Sequence, residues 1–389
     1  VSAMRINQAE GLPIKMWLDD IEPGAMAQAH SLANLPFAFK HIAIMPDAHQ
    51  GYGMPIGGVL ATKGVVIPNA VGVDIGCGMC AMKTSLSAID PPQLKRILSK
   101  IRQHIPMGFS KHQHGPEDEL MPEYVGGTLP GIVDREYENA RRSLGTLGGG
   151  NHFIEFQTDG EHIWVMIHSG SRNLGKQVAD HYNKLAKKLN AQWYTSVPTC
   201  SDLAFFPLTS EEGQAYLTEM DYCVRFALAN RNYMMDRIYE IMFEVLGPFD
   251  RGQEINIAHN YARMENHFGT NVMIHRKGAT SAADGEEGII PGSQGTCSYI
   301  VRGLGNRESF RSCSHGAGRK MSRKRARNVL DLEHEQNVLE GQGIIHSVRN
   351  VTDLDEAPGA YKDIEEVMAH QKDLVEITTK LHPIAVLKG

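Results

Sequence analysis

Between Gly213 and Leu246 the chain carries Met, Tyr, Ile and Phe at helical spacing with no interior Gly or Pro, which predicts a helix of about nine turns. A rod roughly 50 Å long with an apolar face is not stable alone and needs a broad apolar surface to lie on. Its methionines read as core-filling side chains and not as a soft-metal site.

The surface it needs is written as short strands. Apolar alternation at Lys40 to Met45, then GGVLATKGVVIP and AVGVDIG, predicts strands separated by Gly and Pro turns, and GNHFIEFQ, HIWVMIH, NVMIHR, GIIPGS and CSYIVRG predict more. A helix is expected from Asp90 with Pro91 at its first position, a short one near Val133 to Ser143, one from Arg172 into Lys188, and a basic one from Gly318 to Val329. The chain closes with helix then strand. With 389 residues, 42% apolar and 22% charged, and no internal repeat or linker, the expectation is one large mixed α+β domain of sheets with flanking helices. It covers residues 4–389, leaving aside the three residues ahead of Met4. Pro106 to Pro130 reads as a variable loop, long enough that function or disorder is the usual reason for it.

The formal charge of -6 excludes a cationic body, so a nucleic-acid partner needs a local basic patch. No window reaches the roughly 18 apolar residues of a membrane span, and the first residues lack a signal-peptide pattern, so the expected location is cytoplasmic with no membrane partner. The 6 scattered cysteines read as free thiols or metal ligands. GSRNLGKQ resembles a P-loop but puts Gln177 where Ser or Thr would hold magnesium, and Cys77 with Cys80 is a single CxxC with no second pair. No lysine begins a KxxG, so a covalent nucleotidyl enzyme of this sequence needs another nucleophile.

The chemistry concentrates in histidines beside small residues that let a ligand approach: His49, His152, His168, His259 and His315, with Asp74 and Cys77 in VGVDIGCG. Imidazole, carboxylate and thiolate together suit Zn, Mn, Fe or Co, and the donors suffice for two ions or for one structural ion. In SCSHGAGRKMSRKRAR, a glycine turn leading into a helix would face an anion beside His315, with Arg319 forked onto a phosphate. The basic residues behind it are either a solvated helix face or a phosphate-tracking surface.

The blocks MPDAHQGYGMPIGG, VGVDIGCGM, GTLGGGNHFIE, IHSGSRNLG, AHNY, RKGA, GIIPGSQG, SCSHGAGR and the terminal KG, in order from about Trp17 to Gly389, resemble the RNA-splicing ligase RtcB family. Ala258 departs from the members that carry a second histidine there. The resemblance implies a GTP- and manganese-dependent ligase joining an RNA 3'-phosphate or 2',3'-cyclic phosphate to a 5'-hydroxyl in RNA repair or tRNA splicing, with two Mn(II) ions. By it, His315 is guanylylated, Asp47 orients it, and Asp74, Cys77, His152, His168 and His259 hold the metal. Asn151, His152, Glu155, His259, Asn260, the turn Pro291, Gly292, Ser293 and Gln294, Ser298, His315, Gly316, Ala317, Gly318 and Lys388 would contact the guanylate. Tyr361 would stack on guanine, Arg172 would contact RNA, and an archease-type activator is an implied partner. The alternatives are a dinuclear-metal phosphohydrolase or cyclic phosphodiesterase, guanylate capping of 3'-phosphate DNA ends, and a non-catalytic RNA-binding paralogue.

Overall fold

The computed structural model describes residues 4–8, 10–124 and 131–389. In it the periodic segment is one helix, Glu211–Leu246. Ser210 caps its start by accepting from the Gly213 N–H at 3.0 Å, and Gly247, with φ 84°, ends it. Met234, Met235, Ile238, Ile241 and Met242 of its second half pack with Cys80, Met82, Ile154, Phe156, Val165 and Ile167. The methionines are core, as the spacing predicts.

The sheet beneath joins seven strands in the order Arg251–Ala258, Gly78–Thr84, Ile163–Ser169, Phe153–Thr158, Val375–Lys388, Ser298–Gly303 and Glu287–Ile290, every neighbouring pair antiparallel. A six-stranded sheet runs Arg5–Asn7, Ile14–Met16, Ala38–His49, Ile56–Thr62, Thr270–Lys277 and Asn260–His267, with only the second and third strands parallel. This is the mixed α+β architecture the sequence predicts.

At one of its crossings the chain passes from one sheet to the other through a single residue, for Ala258 ends an edge strand of the first and Asn260 begins an edge strand of the second. That residue is His259. Cys77 stands just ahead of Gly78–Thr84 and His152 just ahead of Phe153–Thr158, while the register pairs Gly78 with Ser169 and Phe153 with His168. Antiparallel pairing therefore brings Cys77, His152 and His168 to one corner.

Two expected elements differ. AVGVDIG is not a strand: Pro68–Val71 is a helical turn, Gly72 leaves it at φ 96°, and extended pairing starts only at Gly78. The basic helix begins at Arg323, not Gly318, because Gly318 is left-handed at φ 74° and Arg319 bridges Tyr361, so the backbone turns helical only after the Ser322 cap. Asp118–Leu120 is a short turn inside the expected loop, and 125–130 lie outside the described residues. Among the described residues no helix is long and apolar enough to cross a membrane.

Candidate active site

Cys77 Sγ lies 3.3 Å from His168 Nε2 and 3.5 Å from His152 Nε2, and His152 Nε2 lies 3.4 Å from Oδ2 of the half-exposed Asp74. The donor atoms of Cys77, His152 and His168 all fall within 4.8 Å of one another, and all three residues are buried. Backbone carbonyls aim both rings: His168 Nδ1 faces Asn151 O at 3.0 Å and His152 Nδ1 faces Leu147 O at 3.1 Å. A carbonyl only accepts, so His168 Nδ1 carries the proton and its Nε2 lone pair points inward, whereas His152 Nδ1 stands between the Leu147 carbonyl and a guanidinium that only donates. Arg172 closes this corner, with Nη1 3.2 Å from His152 Nδ1 and Nε donating to Thr146 Oγ1 at 3.2 Å.

Ring centroids of His152 and His168 are 5.3 Å apart, His168 and His259 5.2 Å, and His259 and His315 4.8 Å. Four imidazoles thus run in file from the thiol to His315. His259 Nδ1 is buried with no hydrogen-bond partner among the described residues. Burial and then the neighbouring imidazoles hold His168 and His259 well below the ordinary imidazole range, while burial and then the Asp74 charge push the Cys77 thiol up. A divalent cation reverses both tendencies, since it takes imidazole lone pairs and turns the thiol into thiolate. A thiolate, imidazoles and a carboxylate, with one buried ring nitrogen unpartnered, fit a transition-metal ion.

At the end of the file His315 Nδ1 meets Asp47 Oδ2 at 2.6 Å, and the His315 backbone N–H donates to the same oxygen at 3.0 Å. Asp47 is fully buried and its Oδ1 has no partner among the described residues. The 315–318 loop closes over it through Gly318, where a Cβ would stand 2.2 Å from the Asp47 carbonyl oxygen. With Nδ1 committed to Asp47, Nε2 is the ring nitrogen left with a lone pair for other chemistry. His49 stands apart from the file, its Nδ1 on the Asp47 carbonyl at 3.1 Å.

The residues expected around a guanylate form the adjoining wall. Ser298 Oγ accepts from the Gly292 N–H at 3.2 Å and from Gln157 Nε2 at 3.0 Å, drawing the Pro291–Gln294 turn onto the sheet. Gln157 also donates to Glu155 Oε1 at 2.6 Å, and burial pushes Glu155 up to about 8. Gly316 lies against Pro291, Ala317 is buried, and Ser293 N–H is held by Thr296 Oγ1 at 2.7 Å. Asn260 ties Asp74 O at 3.0 Å to the Gly278 N–H at 2.8 Å.

Two hubs escaped the sequence reading. The buried Glu356 carboxylate accepts from Lys388 Nζ at 3.1 Å, Arg319 Nη1 at 3.2 Å and the Tyr361 hydroxyl, and Gln294 Nε2 donates to its carbonyl at 2.9 Å. Burial alone would raise Glu356, but Lys388 and its other donors keep it below the usual carboxylate value. Arg319, expected on a phosphate, covers the Tyr361 ring at 5.1 Å and donates to Asp355 O at 2.5 Å. On the long helix, the fully buried Arg231 donates to Gly76 O at 3.0 Å and Ser169 O at 2.9 Å, fixing the residues beside Cys77 and His168. The only local signal for it is a polar triplet, Asn230, Arg231 and Asn232, set between residues 226–229 and 233–235. The P-loop-like segment forms strand, turn and helix, but Lys176 pairs with Asp180 at the surface, and Cys80 is buried in the core beneath the long helix.

A family model described as tRNA-splicing ligase RtcB matches residues 28–125 and 118–389. The chain is 40% identical over 407 residues to the RNA-splicing ligase RtcB of Escherichia coli, covering 98% of each chain. It is 32% identical over 441 residues to the tRNA-splicing ligase RtcB of Thermococcus kodakarensis, covering 94% of this chain and 91% of that protein. Against the RNA-splicing ligase RtcB homolog 1 of Entamoeba dispar it is 32% identical over 447 residues, covering 94% of this chain and 82% of that one. With matches spanning nearly every residue from the first sheet to the terminal strand, the chain belongs to the tRNA-splicing ligase RtcB family.

Proposed function

We propose that this chain is an RNA ligase that joins 3'-phosphate or 2',3'-cyclic phosphate ends to 5'-hydroxyl ends, using GTP and two Mn(II) ions. RNA ligation rests on the family; the route rests on His315, held by buried Asp47 at 2.6 Å and one ring away from the donor cluster. His315 Nε2 attacks the α-phosphorus of GTP, forming a P–N bond as pyrophosphate leaves. Asp47 keeps the proton on Nδ1 and offsets the positive charge the ring acquires. At a cyclic end water first attacks the phosphorus and the P–O2' bond breaks, leaving a 2'-hydroxyl and a 3'-phosphate; an oxygen of the RNA 3'-phosphate then attacks the guanylate phosphorus, the P–N bond breaks, and His315 is restored. The 5'-hydroxyl oxygen attacks the activated 3'-phosphorus and GMP leaves, which explains the need for GTP: a bare phosphate monoester has no comparable leaving group. Cys77, Asp74, His152, His168 and His259 would hold the manganese, which when bound neutralises phosphate charge. Lys388, Tyr361, Glu155, Asn151 and Ser298 line the side on which the guanylate is expected.

The test is incubation of manganese-loaded protein with GTP labelled in the α-phosphate, followed by denaturing separation. An acid-labile, alkali-stable adduct on His315, absent from His315→Ala with metal retained, supports the reading. Labelled His315→Ala overturns the nucleophile. An unlabelled wild type that stays unlabelled with an archease-type activator, yet opens cyclic phosphate, is a phosphohydrolase. Comparing RNA and DNA 3'-phosphates as acceptors separates joining from DNA capping.

A further inference from the structure

The loop that follows the helix Pro91–His104 leaves an aromatic ring in solvent at the edge of the site. Met107 bridges Gly148, and the Gly108 N–H donates to Gly148 O at 2.9 Å, so this loop is fastened to the glycine strip 148–150. Met107 packs inward on the core of the seven-stranded sheet, whereas Phe109 is fully exposed. The strip runs directly into Asn151 and the metal-site residue His152. Two guanidinium groups lie over it: a Cβ on Gly148 would stand 2.2 Å from Arg172, and one on Gly150 would stand 3.3 Å from Arg323, whose Nε pairs with Glu356 at 3.4 Å while its side chain stays 48% exposed.

A lone exposed apolar side chain is ordinary, but this one is held by an ordered turn beside two guanidinium groups and the metal corner. Unpaired RNA ends present what such a pair of features recognises: base faces that stack on aromatic rings and phosphates that need cations. In a chain of net charge -6, local cations beside an aromatic ring favour RNA over a protein partner. We propose that Phe109 is a stacking platform for a base near the reacting end of the RNA, with Arg323 on an adjoining phosphate. The proposal rests on the RNA-ligase reading and adds to it the subsite that holds the strand.

The experiment uses full-length protein and a short 3'-phosphorylated RNA carrying 2-aminopurine at successive positions from its end, read by fluorescence and by ligation kinetics. Wild type is expected to quench one position. Phe109→Ala and Phe109→Leu are expected to abolish that quench and raise the RNA KM about five- to a hundredfold, while Phe109→Trp retains both. Tyr194, 93% exposed at the far end of the helix Leu174–Gln192 and about 28 Å along it, supplies the exposed-aromatic control Tyr194→Ala, with RNA KM unchanged. Quenching at no position, or Phe109→Leu behaving as wild type, overturns the platform, as does unchanged RNA binding in Phe109→Ala. A wild type that binds and quenches but joins no ends supports the platform and counts against ligation instead.

Discussion

Replacing Asp47 by Asn isolates what the carboxylate does for His315. Oδ2 receives two donors, His315 Nδ1 at 2.6 Å and the His315 N–H at 3.0 Å, whereas Oδ1 is buried and unpartnered. In Asn the side-chain oxygen must take the two-donor seat, because an amide nitrogen there would face two N–H groups. The Nδ1–H tautomer survives, and a charge-assisted bond becomes a neutral one. That exchange lowers its contribution by about 1–2 kcal/mol, felt most as the ring gains positive charge, and so slows guanylylation roughly 5- to 30-fold. The amide N–H groups fall where Oδ1 was, and leaving them unsatisfied costs about 1–3 kcal/mol of stability. Single-turnover labelling at saturating GTP and Mn(II), with thermal melting alongside, measures both. A labelling rate within twofold of wild type would refute the orienting role. A loss near 10⁴-fold, the scale expected when the tautomer reverses, would refute the two-donor argument instead.

Cys77→Ala is expected to lower bound metal, measured by elemental analysis, and to lose most of the metal-dependent rise in Tm, which for a saturated site at a hundred times Kd corresponds to about 2.7 kcal/mol; equal metal content in variant and wild type would remove Cys77 from the ligand set. Glu155, pushed up by burial to about 8, is protonated at neutral pH, and the stability this gives is present below the ordinary value of 4.5 and lost as pH rises through 8. On the proposed reading, with a guanine donating N–H groups to its carboxylate, GTP binds the ionised form, so KM for GTP is expected to rise about tenfold per unit as pH falls below 8 and to level above it, with Glu155→Gln flattening the profile; a profile that keeps its slope in that variant assigns the titration elsewhere. Arg231→Leu strands Gly76 O and Ser169 O in the core and is expected to destabilise by about 3 kcal/mol, with metal content falling in step. Retention of wild-type Tm and metal would show that the strand ends hold their positions without it.

Which parts of the site could be read from the chain follows from how far each residue acts. Cys77, His152, His168 and His315 stand beside Gly, Asn or Ser at strand ends, and that local pattern marks them before any pairing is known. Arg231 cannot be found that way, since its partners are 155, 62 and 25 residues distant and helical spacing reports only the face it lies on. Glu356 is similar: in DLDEAPG it reads as one more surface acid, and only the return of Val375–Lys388 through the sheet brings Lys388 to it. The strands either side of His259 were missed because Arg251–Ala258 and Asn260–His267 are both edge strands, whose exposed positions carry Arg, Gln, Glu and Asn that blur the apolar alternation. That concealed junction has the widest consequence. His259 is the one residue linking Arg251–Ala258 to Asn260–His267, its N–H is held by the Cys77 carbonyl at 2.8 Å, and its ring lies between His168 on one sheet and His315 beside the other. Any slip of either sheet moves that ring, so an ion that engages His259 together with Cys77 and His168 resists the slip and steadies the spacing to His315. On the proposed reading, metal binding and the placement of His315 are in this way one mechanical problem, met at a point where the chain changes sheets.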